Sequence, residues 1–595
     1  MCGISGIFNF GSSEPVSKEL ISKMNNSQQH RGPDAEGVYI SNKGRIGLGH
    51  QRLSIIDHSA SAGQPMSNND GSVWVTYNGE IYNHQTLRKE LEIMGFHFRS
   101  DHSDTEVLVH GYKAWGLPGL LEKLDGMFGF AIWDEANEVL FIARDRVGVK
   151  PVYFAKRARF FVFASEIKAI LIHPRITRGV GESALYHYLT YLTTPAPLTL
   201  FDGIYKVPAG QYIKIEGDGS FQANHYWSPS TGSCLDHSYL SGLDANQRHI
   251  ALRDEVRKRL EGAVEKRMMS DAPYGAFLSG GIDSSLNVAL MDKFSDEPVN
   301  TFTVGFSDHP HLNEMEQAQK VSKLFGTNHH EILINETDMI GYLQDLVYQQ
   351  DEPLADWVCI PLHFVSQLAK KNGVKVIQVG EGSDEQFCGY NGYMKYLSLH
   401  HNYFKPFQTF FPKGLQGFIA AGALKLASSF PGMEIYADAI LRASTNREAF
   451  WSGAISFWES QKSALLPNYN PSRAEGWHEL VSLGLLPDSY LETDSYSIAR
   501  DFYSSFDKLN PGSDQLTRMI YNEFRLRLPE LLLMRVDKIT MASSLEARVP
   551  FLDRSLVDLT MDIPMADKVR GGNTKYLLKK AAEGIIPDEI IYRKK

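Results

Sequence analysis

The chain changes its hydrophobic rhythm near residue 250. Before that point, apolar positions fall in short alternating or solid runs at 73–77, 127–133, 139–144, 152–154 and 161–165, each bounded by turn residues. Runs of this kind predict β-strands, and 203–227 reads as the closing strands of the same unit. Many strands with few helices predict stacked antiparallel sheets. Residues 228–246 are rich in Ser, Gly, Asp and His, lack an apolar period, and read as a linker. Beyond 250 the pattern alternates. Helices are expected at 251–268, 286–294, 313–325 and 362–371, and strands at 275–278, 300–306, 330–334 and 374–379. That alternation predicts a parallel sheet covered on both faces, with ligands at the carboxyl ends of its strands. The expected fold class is a two-domain combination of α/β and α+β. It comprises an N-terminal sandwich of antiparallel sheets with flanking helices at 2–228, a linker at 229–246, and a C-terminal parallel-sheet domain at 247–595. The C-terminal domain carries a long, aromatic-rich, largely helical insertion at about 386–514.

Composition narrows the function classes. A chain of 595 residues is long enough for several domains with full cores. Hydrophobic content of 43% and charged content of 22% are ordinary for a globular protein. A net charge of −10 argues against a general nucleic-acid binder, which carries a basic face. Cys2, Cys234, Cys359 and Cys388 lack metal-ligand spacing, which argues against a zinc site or a disulfide framework. The N-terminus has no basic region followed by an apolar core. The most apolar later stretch, 417–427, is too short to span a bilayer and contains Lys425. A cytoplasmic protein without nucleic-acid or membrane partners is expected.

Two stretches carry candidate chemistry. Leu278-Ser279-Gly280-Gly281-Ile282-Asp283-Ser284-Ser285 joins an expected strand to an expected helix. Free backbone N–H groups and the helix dipole converge at such a junction and make an anion site. No Lys follows the glycines, so this is not a Walker A loop. The plainer alternative is a Gly-Gly turn with Asp283 capping the helix. The second stretch is the N-terminus. Loss of Met1 would make Cys2 the first residue, with an α-amine of pKa roughly 7.7–8.0 able to act as base for its own thiol. The alternative is a small buried cysteine at the start of an edge strand.

The motifs that follow Cys2 form an ordered series. His30-Arg31-Gly32-Pro33-Asp34, His50-Gln51-Arg52-Leu53-Ser54-Ile55-Ile56-Asp57, Tyr77-Asn78-Gly79-Glu80-Ile81-Tyr82-Asn83 and Ser103-Asp104-Thr105-Glu106 together resemble a class II glutamine amidotransferase domain. The loop at 278–285 resembles the pyrophosphate-binding loop of ATP pyrophosphatases. Joined, they resemble the glutamine-hydrolysing asparagine synthetase family over nearly the whole chain apart from about 391–515, where no motif is recognised.

The resemblance implies specific roles. Cys2 attacks the glutamine side-chain amide, and Asn78 and Gly79 form the oxyanion hole. Arg52 grips the α-carboxylate and Asp104 the α-ammonium, with Leu53, Ser54, Ile55, Ile56 and Glu80 completing the glutamine site. ATP binds at Leu278, Ser279, Gly280, Gly281, Asp283, Ser284, Ser285, Val304, Val379, Gly380 and Lys575, the last beside the leaving pyrophosphate. Asp283 and Asp384 are hard oxygen ligands suited to Mg²⁺. Glu381 is the base for the attacking ammonia. Charged residues in 535–538 and 545–553 are expected to brace the domain more than to touch substrate. The implied substrates are glutamine, ATP and a carboxylate acceptor, with aspartate leading, and the products are an amide, AMP and pyrophosphate. A homodimer is left open.

Other readings remain beside it: the same chemistry on a sugar acid or biosynthetic intermediate, a non-catalytic regulatory protein, and sulfur transfer to nucleic acid. Intact Cys2, Asp283, Glu381 and Asp384 speak against the second. The absence of paired cysteines and a basic surface speaks against the third. Trp357-Val358-Cys359, where family members carry a small residue after Asp356, departs from the pattern and is expected to reshape the acceptor pocket.

Overall fold

The computed structural model describes residues 2–593 apart from 12–13, 233, 236–241, 428, 431–432, 468, 470–476 and 487–493. The expected linker at 229–246 falls partly outside the described residues. Its far end is clear, because Asp244 and Gln247 form a capping box that starts helix Ala245–Lys266.

Twelve strands build two antiparallel sheets. They are β1 (Gly3–Asn9), β2 (Ala35–Ile40), β3 (Ile46–Arg52), β4 (Met66–Ser67), β5 (Val73–Ile81), β6 (Gly126–Asp134), β7 (Val139–Arg144), β8 (Tyr153–Arg157), β9 (Phe160–Ala164), β10 (Tyr205–Lys206), β11 (Gln211–Ile215) and β12 (Phe221–His225). One sheet runs β10–β8–β9–β1–β3–β2 and the other β12–β11–β7–β6–β5–β4. β1 therefore lies inside its sheet, pairing Gly3 with Gln51 on β3 and Ser5 with Ala164 on β9. It is not the edge strand of the alternative reading. Every residue of β3 is buried, because helix Lys18–Asn26 covers one face and β5 packs on the other. Polar groups between the sheets are satisfied across the gap: Thr76 Oγ1 donates to the Gly49 carbonyl at 2.9 Å. His50 Nε2 lies 3.1 Å from the Tyr77 carbonyl, and burial holds its ring down at about 3, hence neutral.

The second half contains a parallel sheet of β13 (Tyr274–Phe277), β14 (Asn300–Phe306), β15 (Asn328–Ile334), β16 (Val376–Gln378) and β17 (Glu546–Arg548), in the order β15–β14–β13–β16–β17. Separate apolar layers flank it, one around helices Ala245–Lys266 and Ile282–Phe294, the other around Cys359–Lys371 and Leu533–Ala542. The sequence pattern anticipated the first four strands. β17 it did not, because two of its three residues are charged. The described part of 386–514 is helical, including Asn391–Leu399, Lys413–Ala427, Glu434–Ser444 and Tyr496–Leu509.

β17 faces the N-terminal sheets. Its register sets Glu546 beside Val376 and Arg548 beside Gln378. Arg548 reaches Glu546 at 2.6 Å and Glu80 of β5 at 3.2 Å, all within the interior. Burial alone would push the Glu546 carboxyl up, but surrounding positive charge, including Arg548 and Lys150, outweighs it and holds the group at about 2. A carboxylate depressed in the folded state adds stability above its unfolded pKa of about 4.3, and that share is lost as pH falls toward about 2. Thermal unfolding should therefore move little from neutrality down to about pH 5 and then drop steeply. Glu546→Gln should flatten that acid limb. Parallel curves for the two proteins would show that this carboxylate does not set it.

Candidate functional site

The first pocket forms where the sandwich meets β17. β1 delivers Cys2, the turn after β3 delivers Leu53, Ile55 and Ile56, and the end of β5 delivers Gly79 and Glu80. The Cys2 backbone N–H donates to Asn78 Oδ1 at 2.9 Å. That bond fixes the amide so that Asn78 Nδ2 is buried with no hydrogen-bond partner among the described residues. An orphaned buried donor is costly, and here it sits beside a buried thiol. Burial pushes the Cys2 thiol up, against the pull of the Leu53 N–H and the Arg52 guanidinium. Gly79 also lines the pocket. A Cβ there would lie 2.1 Å from the Met127 carbonyl and 2.8 Å from Phe128 Cα, both backbone atoms of the paired strand.

Arg52 is 8% exposed, and its guanidinium donates to the carbonyls of Asp57 and Ser59. Among the described residues no carboxylate pairs with it, so its charge is held in place and not neutralised. Asp104 does not cap the helix Glu106–Lys123. Its Oδ2 accepts from Tyr77 Oη at 2.8 Å and from the Ile81 N–H at 3.1 Å, which holds the carboxylate at the pocket wall. Glu80 is buried beside Asp104 and Glu546, and burial with those charges raises its carboxyl well above the ordinary range. Ser54 lies off the pocket lining, and its N–H donates to Asp34. Sequence reasoning missed Gln64 and Glu546. Gln64 braces the wall by accepting from the Tyr77 N–H at 2.7 Å and donating to Thr105 at 3.1 Å.

The second pocket, a cavity of about 480 Å³, opens at the carboxyl ends of β13, β14 and β16. Leu278, Ser279, Gly281, Asp283, Ser284, Val304, Val379, Gly380, Glu381 and Asp384 line it. Gly280 stands behind them at φ +68°, where a Cβ would meet the Gln317 backbone at 2.7 Å. Ser285 is buried in the helix behind the loop. Hydroxyls tie the loop to itself: Ser284 Oγ lies 3.1 Å from Ser279 Oγ and accepts from the Ser279 N–H at 3.2 Å. Gly281 is the N-cap of helix Ile282–Phe294, and Asp283 makes no cap. The Asp283 carboxylate instead accepts from Ser383 Oγ at 2.7 Å and pairs with Lys575 Nζ at 2.6 Å. Asp384 meets the same ammonium at 2.6 Å. Burial works against the Lys575 charge, but the two carboxylates outweigh it and raise its pKa.

Glu381 pairs with Arg535, which also holds Asp356 at 2.5 Å. Arg535 lines this pocket, so of the charges expected to brace the domain, this one faces the cavity. Trp357 and Val358 line it as well, with Trp357 67% exposed. Cys359 turns inward and accepts from Gln350.

Residues 1–227 match a family profile described as a glutamine amidotransferase domain, and 255–595 match one described as asparagine synthase. The chain is 35% identical to asparagine synthetase (glutamine-hydrolyzing) 1 of Bacillus subtilis, covering 100% of this chain and 86% of the relative. It is 31% identical to asparagine synthetase (glutamine-hydrolyzing) 3 of the same organism, over 100% and 86%. It is 26% identical to amidase chry2 of Gibberella zeae, over 99% and 87%.

Because neither Met127 nor Phe128 can yield without breaking the β5–β6 pairing, Gly79→Ala must displace the backbone beside Asn78. Loss of one oxyanion donor costs about 10²–10³ in rate. Gly79→Ala should lower glutamine hydrolysis by about that factor while circular dichroism stays unchanged. Turnover close to the parent's would remove Gly79 from the site.

Proposed function

The chain belongs to the glutamine-hydrolysing asparagine synthetase family of ligases, and from that premise we propose how its two pockets divide the reaction. The Cys2 thiol attacks the side-chain carbonyl of glutamine, and ammonia leaves as a thioester forms. Asn78 Nδ2, with no other partner, and the Gly79 N–H take the oxyanion. Arg52 holds the α-carboxylate and Asp104 the α-ammonium. Water then releases glutamate and restores the thiol. In the second pocket an acceptor carboxylate oxygen attacks the α-phosphorus of ATP and expels pyrophosphate. Ammonia attacks the resulting acyl adenylate, AMP leaves, and Glu381, oriented by Arg535, takes the proton.

The loop N–H groups at 279–281 and Lys575 receive phosphate charge. Asp283 and Asp384 fit a magnesium ion, since they already converge on one cation and nucleotide-site magnesium is held by one or two carboxylates plus phosphates. When bound, the ion would neutralise the triphosphate.

One observation carries this reading. The pockets share a sheet edge: β17 places Glu546 in the Cys2 pocket, while β16 beside it runs directly into Gly380 and Glu381. Leu53 and Ile55 of the first pocket pack against Val376 and Met541 at this edge. An apolar contact of that kind suits neutral ammonia and disfavours ammonium. Division of labour predicts that Cys2→Ala abolishes glutamine-dependent synthesis and preserves synthesis from ammonium salts, while Asp283→Ala weakens synthesis from either nitrogen source and spares glutamine hydrolysis. Equal loss of both activities in folded Cys2→Ala would end the two-site account. Mass spectrometry of active protein should find Cys2 as the first residue.

Aspartate is the proposed acceptor, on the family's own chemistry. The exposed Trp357 at the cavity wall supports a second reading, a bulkier carboxylate such as a sugar acid. A site built around an amino-acid head group rejects ligands that lack it by about 10⁴ or more. Aspartate should therefore raise pyrophosphate release at least about ten-fold over an acceptor-free control, and Trp357→Ser should shift the acceptor KM more than the ATP KM. No response to aspartate with normal glutamine hydrolysis would transfer the assignment to the bulkier class.

A further inference from the structure

The helical insertion presents a surface that the proposed chemistry does not use. Residues 386–433 contain no Asp or Glu, in a chain with 70 acidic residues and a net charge of −10. The same stretch carries Lys395, Lys405, Lys413 and Lys425. It leaves the synthetase pocket at Gly389, whose N–H donates to the Asp384 carbonyl at 2.8 Å.

Several of its large apolar side chains point outward. In helix Lys413–Ala427, Leu415, Phe418, Gly422 and Leu426 recur at i, i+3, i+7 and i+11, one stripe of an α-helix. Leu415, Phe418 and Leu426 are exposed, Phe418 to 77%. The buried positions, Gln416, Ala420 and Ala427, lie on the other side, and the helix packs on Glu434–Ser444. Two alanines and a glutamine thus face inward while Leu415, Phe418 and Leu426 face outward, with Ile419 and Leu424 half-buried. Phe410, 80% exposed, and Phe411 precede this helix, and Phe430, 56% exposed, follows it. Large apolar side chains exposed together in one segment mark an interaction surface.

We infer that this face docks on an anionic lipid surface. The charge decides the occupant. Exposed apolar side chains in a segment whose lysines are offset by no Asp or Glu of its own complement a negatively charged bilayer interface. The rest of the chain, net acidic, would be repelled from the same surface and so is turned away from it. The mode is lying on the membrane, not crossing it: no helix among the described residues is long and apolar enough to span a bilayer.

Vesicle co-sedimentation of the full chain tests this. Vesicles of equimolar phosphatidylcholine and phosphatidylglycerol should pellet the protein, and pure phosphatidylcholine vesicles or high salt should pellet at least about ten-fold less. The double substitution Phe410→Asp with Phe418→Asp, both at exposed positions, should abolish pelleting and leave glutamine hydrolysis and pyrophosphate release unchanged. Lys405→Glu with Lys413→Glu should weaken binding to the anionic vesicles alone. Parent protein that stays in the supernatant at every lipid concentration overturns the inference. So does a parent dimer that the Phe substitutions convert to monomer without any vesicle binding, which would assign the face to a second copy of the chain.

Discussion

A fully buried guanidinium is costly without polar partners, and three of the largest fully buried side chains here are Arg31, Arg144 and Arg548. Each reaches a carboxylate across the boundary between the two halves, although Arg31 also pairs with Glu166 at 3.1 Å and Arg548 with Glu546 at 2.6 Å within their own halves. Arg31 reaches Asp537 at 2.8 Å and also the Cys2 carbonyl at 3.1 Å. Arg144 meets Glu530 at 3.0 Å, and Arg548 meets Glu80 at 3.2 Å. Breaking one such pair strands a charge, at about 3–5 kcal/mol, whereas an apolar contact of the same volume is often as stable as the intact pair. Net stability is therefore a poor account of these pairs. Their directionality is a better one, because a displacement of the halves along the interface would break several directed contacts together.

That fixed register gives β17 its place. Successive residues of a strand alternate faces, so Glu546 and Arg548 share one side and Ala547 takes the other, where it joins the apolar core. The side with the charges meets β5 next to Gly79 and the wall of the Cys2 pocket. Arg31 adds a second tie by holding the Cys2 carbonyl, so the proposed nucleophile is anchored to a guanidinium that Asp537 orients. The Cys2 pocket is thus completed by a strand of the second half.

Much of this was legible in the chain because it is local. A strand, a glycine turn and a helix start announce the loop at 278–285 through adjacent residues, and Asn78-Gly79 follows directly on the strand run at 73–77. The alternation of strand and helix after residue 250 located four of five parallel strands. What escaped is non-local or brief. Glu546 lines a pocket whose other members precede residue 106, and no spacing rule links them. β17 is three residues long with charged ends, so its polarity reads as a solvated surface. Arg535 was read as a brace from its charged neighbours, but only the folded chain distinguishes it, facing Glu381, from Asp537 and Lys538, which face the interface. Taken apart from the motif series, Arg52 would read as a surface ion pair and Asp104 as a helix cap; the structure gives Arg52 only carbonyl acceptors and Asp104 no capping bond.

The corner formed by Asp283, Asp384 and Lys575 shows how the proposed ATP site keeps its charge in balance. Two carboxylates this close cannot both stay ionised unless a cation sits between them, and Lys575 Nζ occupies that position at 2.6 Å from each. Its backbone is left-handed at φ +54°, and it N-caps helix Tyr576–Ala582. The side chain is long and the turn before it, Gly571-Gly572-Asn573, is glycine-rich and exposed. Arrival of a triphosphate with its divalent ion would bring a stronger cation to the same oxygens and new anions beside them. The ammonium would then be better placed against phosphate than between carboxylates, and a four-carbon stem can make that move without unfolding the helix it caps. On the proposed chemistry one lysine would serve both states: it neutralises the acid pair before the nucleotide binds and would neutralise the leaving group afterwards.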